Sequence, residues 1–120
     1  MYDAHLKALE SLASIAASLH IPVVAILSNA RVAADEAWQR SEVYLALHRR
    51  LQDRLESRGV HVLDLYPFYQ EQLREHGWKD LTPVWRAPDD AHPNPAGHRL
   101  LADAVTAYIL SKPELLLQGK

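Results

Sequence analysis

Apolar residues recur along the first nineteen positions with a helical period. Leu6, Leu9, Leu12, Ile15, Ala16 and Leu19 fall on one face, so residues 2–19 are expected to form an amphipathic helix. The period then disappears. Residues 21–28 (IPVVAILS) form an unbroken apolar run of strand length, the pattern of a parallel strand covered on both faces. After a loop at 29–34, residues 35–58 return to helical spacing. Tyr44, Leu47, Leu51 and Leu55 form the buried stripe there, and Gly59 is placed to end the helix in a left-handed conformation. A second strand follows at 60–65 (VHVLDL). A helix separates the two strands, so they are expected to run parallel.

Beyond Leu65 the pattern predicts a short helix from Tyr66 to His76, ended by Gly77, then an irregular stretch over 78–88 rich in Trp and Pro. The last helix is expected over 95–110. Asn94 is its N-cap and Pro95 its first helical residue, with Leu100, Leu101, Ala104, Val105, Tyr108 and Ile109 on its apolar face. Pro113 is expected to end it, with a frayed tail behind. The order helix–strand–helix–strand–helix is an α/β pattern in a single unit spanning 1–120. Two strands make a thin sheet, and Val23 to Leu27 carry no charge that would discourage pairing along an open edge.

Composition narrows the function. A chain of 120 residues with 48% hydrophobic and 23% charged residues has the make-up of an ordinary globular domain. Its net charge of -2 carries no polyanion-binding signal, which argues against a nucleic-acid partner. No apolar run is long enough to span a bilayer. With no cysteine, disulfides and thiolate metal sites are excluded.

The chemistry concentrates in Asp89-Asp90-Ala91-His92-Pro93-Asn94-Pro95-Ala96-Gly97-His98. An acid and an imidazole three residues apart precede a capped, packed helix, which is a firm mount for an acid–base pair. Asp90 reads as a solvated neighbour of Asp89, and His98 as a residue that packs or hydrogen-bonds behind the loop. A His92/His98 metal site with Asp89 or Asp90 lacks the i, i+4 spacing that puts two helical histidines on one face. Asp64, at the end of the second strand, reads as an acceptor for nearby backbone groups. Ser28 ends the first strand without the glycine-rich turn of a nucleophile elbow. Trp78, Trp85 and Tyr66 are placed either to line a pocket or to cover a small core.

The string Asp89, His92, Pro93, Asn94, Gly97 and His98 resembles the last block of the SGNH (GDSL) esterase/lipase family, whose pattern is D-x-x-H-P-N, a short gap, then G-H. The order of elements resembles the second half of that fold, so the resemblance covers nearly the whole chain. It implies a flavodoxin-like α/β fold of which these are the last two parallel strands, so the edge of the 21–28 strand that would adjoin the missing ones is expected to take a second copy or a completing chain. It also implies ester hydrolysis through a seryl acyl-enzyme, with a small ester as substrate and no metal or organic cofactor. By the same resemblance His92 is the general base and Asp89 the residue that orients it. The family's G-D-S and G-x-N-D strings do not occur among these residues, and none of the four glycines precedes a serine at the right spacing. The resemblance thus implies a C-terminal part whose nucleophile and oxyanion donors lie before Met1. Such a part is expected to be inactive alone. A non-catalytic α/β module is the alternative.

Overall fold

A computed structural model describes residues 2–28, 42–87 and 90–117. Helix α1 (Tyr2–Ser18) leads to strand β1 (Val24–Leu27), and helix α2 (Glu42–Glu56) to strand β2 (His61–Asp64). Helix α3 (Tyr66–His76), a 3-10 turn (Thr82–Val84) and the short strands β3 (Trp85–Ala87) and β4 (Asp90–Pro93) follow. Helices α4 (Pro95–Leu110) and α5 (Pro113–Leu117) complete the described chain.

Strands β1 and β2 are parallel, in register from Val24↔His61 to Leu27↔Asp64. Flanking bonds from His61 N to Val23 O (2.9 Å) and from Leu65 N to Leu27 O (3.0 Å) extend the pairing at both ends. Alternation along a strand sends neighbours to opposite faces, and here it divides the core in two. Val60 and Val62 join Ala13 of α1 and Leu55 of α2, with Val23, Ala25, Leu27 and Leu51 packed around them. Leu65 joins Tyr69, Leu81 and Val84 on the other face, where Leu63, Trp78, Trp85, Leu100 and Leu101 close the cluster. The result is a thin parallel sheet with α1 and α2 on one face and α3, α4 and the β3–β4 hairpin on the other, an α/β arrangement as expected.

Helix α2 ends as its sequence dictates. Gly59 adopts φ +78, and the Val60 N–H reaches back to Leu55 O at 3.1 Å. Arg54 of α2 donates to Glu10 of α1 at 2.8 and 3.2 Å, tying the two helices over the sheet. The expected stretch 35–41 of this helix and the loop at 29–34 lie outside the described residues.

The structure corrects several expectations. Helix α1 buries Leu6, Ala13 and Ala16, whereas Leu12, Ile15 and Leu19 are 55%, 58% and 61% exposed. The two described strands make a sheet too narrow to cover more than one stripe of a helix, and the small alanines allow the closest approach. On α2, Leu55 is buried but Leu47 is 44% exposed. It lines an open cavity of about 420 Å³ beside Leu27, Ser28 and Tyr44. The stretch 78–88 is less irregular than expected, since it holds the 3-10 turn and β3. Pro113 does not merely stop α4: it opens α5, a role proline fills at a first helical position. Residues 118–120 of the expected frayed tail lie outside the described residues.

Among the described residues no helix is long and apolar enough to cross a membrane.

Candidate active site

The junction between β4 and α4 is fixed by one side chain. Asn94 has an extended backbone (φ -82, ψ -179), and its Oδ1 accepts the Gly97 N–H at 2.9 Å, which satisfies one orphan donor of the first helical turn. Its Nδ2 donates to Pro83 O and to Trp85 O, both at 3.0 Å. Its backbone N–H donates to Val84 O at 2.9 Å. The start of α4 is thus bolted to the 3-10 turn and β3. Gly97 is part of the same bolt. A Cβ there would collide with the Val84 carbonyl oxygen and come within 3.0 Å of Pro93 Cβ.

His92 lies on β4, one residue before Pro93, and its side chain is exposed. The loop expected around it is therefore a strand. Strands β3 and β4 pair antiparallel through Trp85↔Pro93 and Ala87↔Asp90, with an irregularity between the two. Pro93 lines a small cavity of about 60 Å³ together with Ser28, Tyr69, Val84, Trp85 and Gly97. Alternation turns His92 to the opposite, solvent-facing side. Asp89, the expected orienter, lies outside the described residues.

His98 is exposed on the first turn of α4, so of the two roles expected of it, packing or hydrogen-bonding behind this segment, packing is not the one it fills. Gly97, Leu100, Leu101 and Ala104 take the inward face of the helix, and position 98 falls outside it. Among the described residues, no three histidine, aspartate or glutamate side chains converge where a metal ion could be held.

Ser28 follows β1 at the carboxyl end of the sheet. Its Oγ lies 3.1 Å from the hydroxyl of the buried Tyr69. Burial pushes the Tyr69 hydroxyl above its ordinary value, and the bond to Ser28 opposes the shift. The cavity that holds this pair also touches the hairpin. The segment carrying His92 therefore sits at the carboxyl end of the parallel strands, where ligands of open α/β sheets bind. A cavity of about 710 Å³ lies at the other end of the strands, beside His20, Arg58 and His61. Helices α1 and α2 both end near it, and the Arg58 guanidinium there complements the helix carboxyl ends.

Asp64 accepts the Tyr66 N–H through Oδ1 at 2.9 Å, the backbone role expected of it. Its Oδ2 also lies 3.0 Å from His48 Nε2 on α2, a partner that the sequence reading missed. Tyr44 stacks on the His48 ring with centroids 6.0 Å apart. Burial first, then the nearby Asp64 and Tyr66, push the Tyr44 hydroxyl above its ordinary value. The i, i+4 spacing of Tyr44 and His48 was the only sequence signal of this cluster. Of the three flanking aromatics, Trp85 lines the cavity beside Pro93. Trp78 stacks on His76 at 4.3 Å and covers the core, and Tyr66 borders the cleft beside Asp64.

No curated protein and no solved structure matches the chain. A family model does match, over residues 1–105, and that span takes in both parallel strands, the hairpin and most of α4. On that match the chain belongs to the GDSL-like Lipase/Acylhydrolase family.

Proposed function

We propose that this chain is the C-terminal part of an SGNH-type serine esterase or acyl hydrolase, one partial domain of flavodoxin-like fold spanning residues 1–120. It supplies His92 and Asp89 of a Ser-His-Asp triad. His92 takes the proton from the serine hydroxyl as it attacks the ester carbonyl and returns it to the departing alkoxide. Asp89 orients the imidazole and stabilises its protonated form. The serine and the oxyanion donors come from chain outside these 120 residues. That segment also pairs with the edge of β1 that meets no other described strand, and it covers Leu12, Ile15 and Leu19. The reaction needs no cofactor, and the substrate is a small ester.

The observation that carries this reading is the mount of His92. An exposed imidazole sits on a strand held by the Asn94 bolt, at the carboxyl end of a parallel sheet. A base must hold its position through proton transfer, and such a mount provides that.

The test is hydrolysis of p-nitrophenyl acetate by the 120-residue chain and by the same chain preceded by the upstream sequence of its reading frame. Turnover is expected only in the longer protein, and His92→Ala should abolish it. Turnover by the short chain alone, or turnover indifferent to His92→Ala, refutes the assignment. Inactivity of both proteins favours the non-catalytic module.

A further inference from the structure

Helices α1 and α2 end at one open cavity of about 710 Å³, at the amino end of the parallel strands. Its wall is aliphatic, formed by Ala13, Ala17, Ile21, Pro22, Val23 and Val60. Its polar side chains are His20, Arg58 and His61. We propose that this cavity binds an aliphatic monocarboxylate, with the tail along the wall and the carboxylate on the Arg58 guanidinium. The assignment does not rest on the roles given to His92 and Asp89.

Among the described residues no carboxylate lines the cavity. Glu10 approaches Arg58 but is already engaged. Arg54 donates to its Oε1 at 2.8 and 3.2 Å, while Arg58 Nε stays at 3.7 Å. The Arg58 side chain is 53% exposed, and its guanidinium presents N–H donors suited to a planar, bidentate acceptor. The carbonyls that end the two helices are hydrogen-bonded without that side chain. The Ile21 N–H donates to Ala16 O at 2.9 Å, the Val60 N–H to Leu55 O at 3.1 Å and the Gly59 N–H to Glu56 O at 3.0 Å. His20 closes α1 with φ 56, in the left-handed region that favours glycine, so an imidazole stands at the cavity at some backbone cost. The two imidazoles each add a ring N–H donor.

Other ligand classes use these surfaces less completely. A metal cation would meet Arg58 and no carboxylate. A sugar would find no aromatic face and no carboxylate or carboxamide side chain. A small inorganic anion would leave the aliphatic wall wet, including Ile21, which is 55% exposed. A polyanion needs several cations and meets one permanent one. A monocarboxylate with an aliphatic tail matches that single charge and covers the wall. The volume lies within the roughly 300–1,000 Å³ of small-molecule sites.

The test is a titration of the full chain with hexanoate, followed by amide chemical shifts. Hexan-1-ol, with the same chain and no charge, and acetate, with the same charge and no chain, serve as controls. Hexanoate should give saturable shifts confined to residues 13–23 and 58–61, with an affinity roughly fivefold or more above either control. Arg58→Gln should weaken hexanoate roughly three- to tenfold and leave hexan-1-ol unchanged. Ala17→Glu adds a carboxylate at an exposed position of α1 and should weaken hexanoate by a similar factor. Both changes lie at exposed positions, so folding should survive, as checked by circular dichroism. Absence of saturable shifts, shifts elsewhere, equal binding of either control, or indifference to both substitutions overturns the proposal. The readout is binding, so its failure leaves the esterase reading untouched, and the converse holds as well.

Discussion

The side-chain amide of Asn94 donates to the carbonyl of Trp85 at 3.0 Å, across the register that pairs β3 with β4. The same side chain caps α4 through Gly97. One residue thus holds both the strand that carries His92 and the helix behind it. Asn94→Ala removes the cap and two further donors, and should lower unfolding stability by about 1–3 kcal/mol. Asn94→Asp keeps the acceptor and loses the donors, so it should fall between. Urea denaturation of the three proteins checks the order, and an Asp variant no better than the Ala variant would show that the cap contributes little.

Gly97→Ala sets two effects against each other. Alanine is the better helix former by about 1 kcal/mol. Its Cβ would, however, strike the Val84 carbonyl oxygen, a backbone atom that cannot rotate away. Sterics should win, with a net destabilisation of about 1–3 kcal/mol, the usual range for overpacking. A stabilised variant would show that the 3-10 turn moves freely away from α4.

In the active protein, His92→Ala should reduce turnover by about three orders of magnitude or more, the scale of losing a triad member. His98→Ala, at an exposed helix position, should change it little. Asp89→Asn should likewise cost far more than Asp90→Asn. Steady-state rates with p-nitrophenyl acetate decide both comparisons. Equal losses at the two aspartates, or a greater loss at His98, would remove the assignment.

The exposed apolar residues of α1 and the edge of β1 that meets no other described strand should make the isolated chain associate. Sedimentation at low micromolar concentration is expected to show dimers or larger species, and Ile15→Glu should shift them toward monomer. A monodisperse parent chain with slow amide exchange at both edges of β1 would show that no partner is needed there.

Tyr69 provides a pH dependence. Burial holds its hydroxyl above the ordinary value of 10.0, against the opposing bond to Ser28. The unfolded chain therefore releases this proton at lower pH than the folded chain does. The stability tied to this group is full below the unfolded value and is lost as pH rises through the folded value. Urea midpoints should hold steady at neutral pH and decline in the alkaline range, with a shallower decline in Tyr69→Phe. Identical slopes in the two proteins would show that Tyr69 titrates as it does when unfolded.

Much of the architecture was legible because its causes are local. The Asn94-Pro95 start of α4, the Gly59 stop of α2 and the parallel pairing of two strands joined through a helix each follow from a few adjacent residues. The β3–β4 hairpin was not legible, since three residues such as Trp85 to Ala87 are too few for period-two alternation to register. The exposure of Leu12 and Ile15 was misread for a different reason. Periodicity shows which positions are apolar and cannot show how much sheet is available to cover them. At the candidate site, the cap that mounts His92 was written in consecutive residues. The His48–Asp64 pair joins a helix to a strand end, and no spacing rule links the two.

The two halves of the core also differ in the span of chain that each must close. Val24 finds its partner His61 only across the whole of α2 and the segment before it. The Asn94 contacts to Pro83, Val84 and Trp85 close a short loop. Short loops cost less entropy to close, so the hairpin and the first turn of α4 are expected to form before the parallel pair. Substitutions at Asn94 should then slow folding, while substitutions such as Ala25→Gly in β1 should mainly speed unfolding, a contrast that stopped-flow chevrons would reveal. The segment that carries His92 would then be an early-folding unit, one that can take shape before the strand pairing that joins it to the rest of the domain.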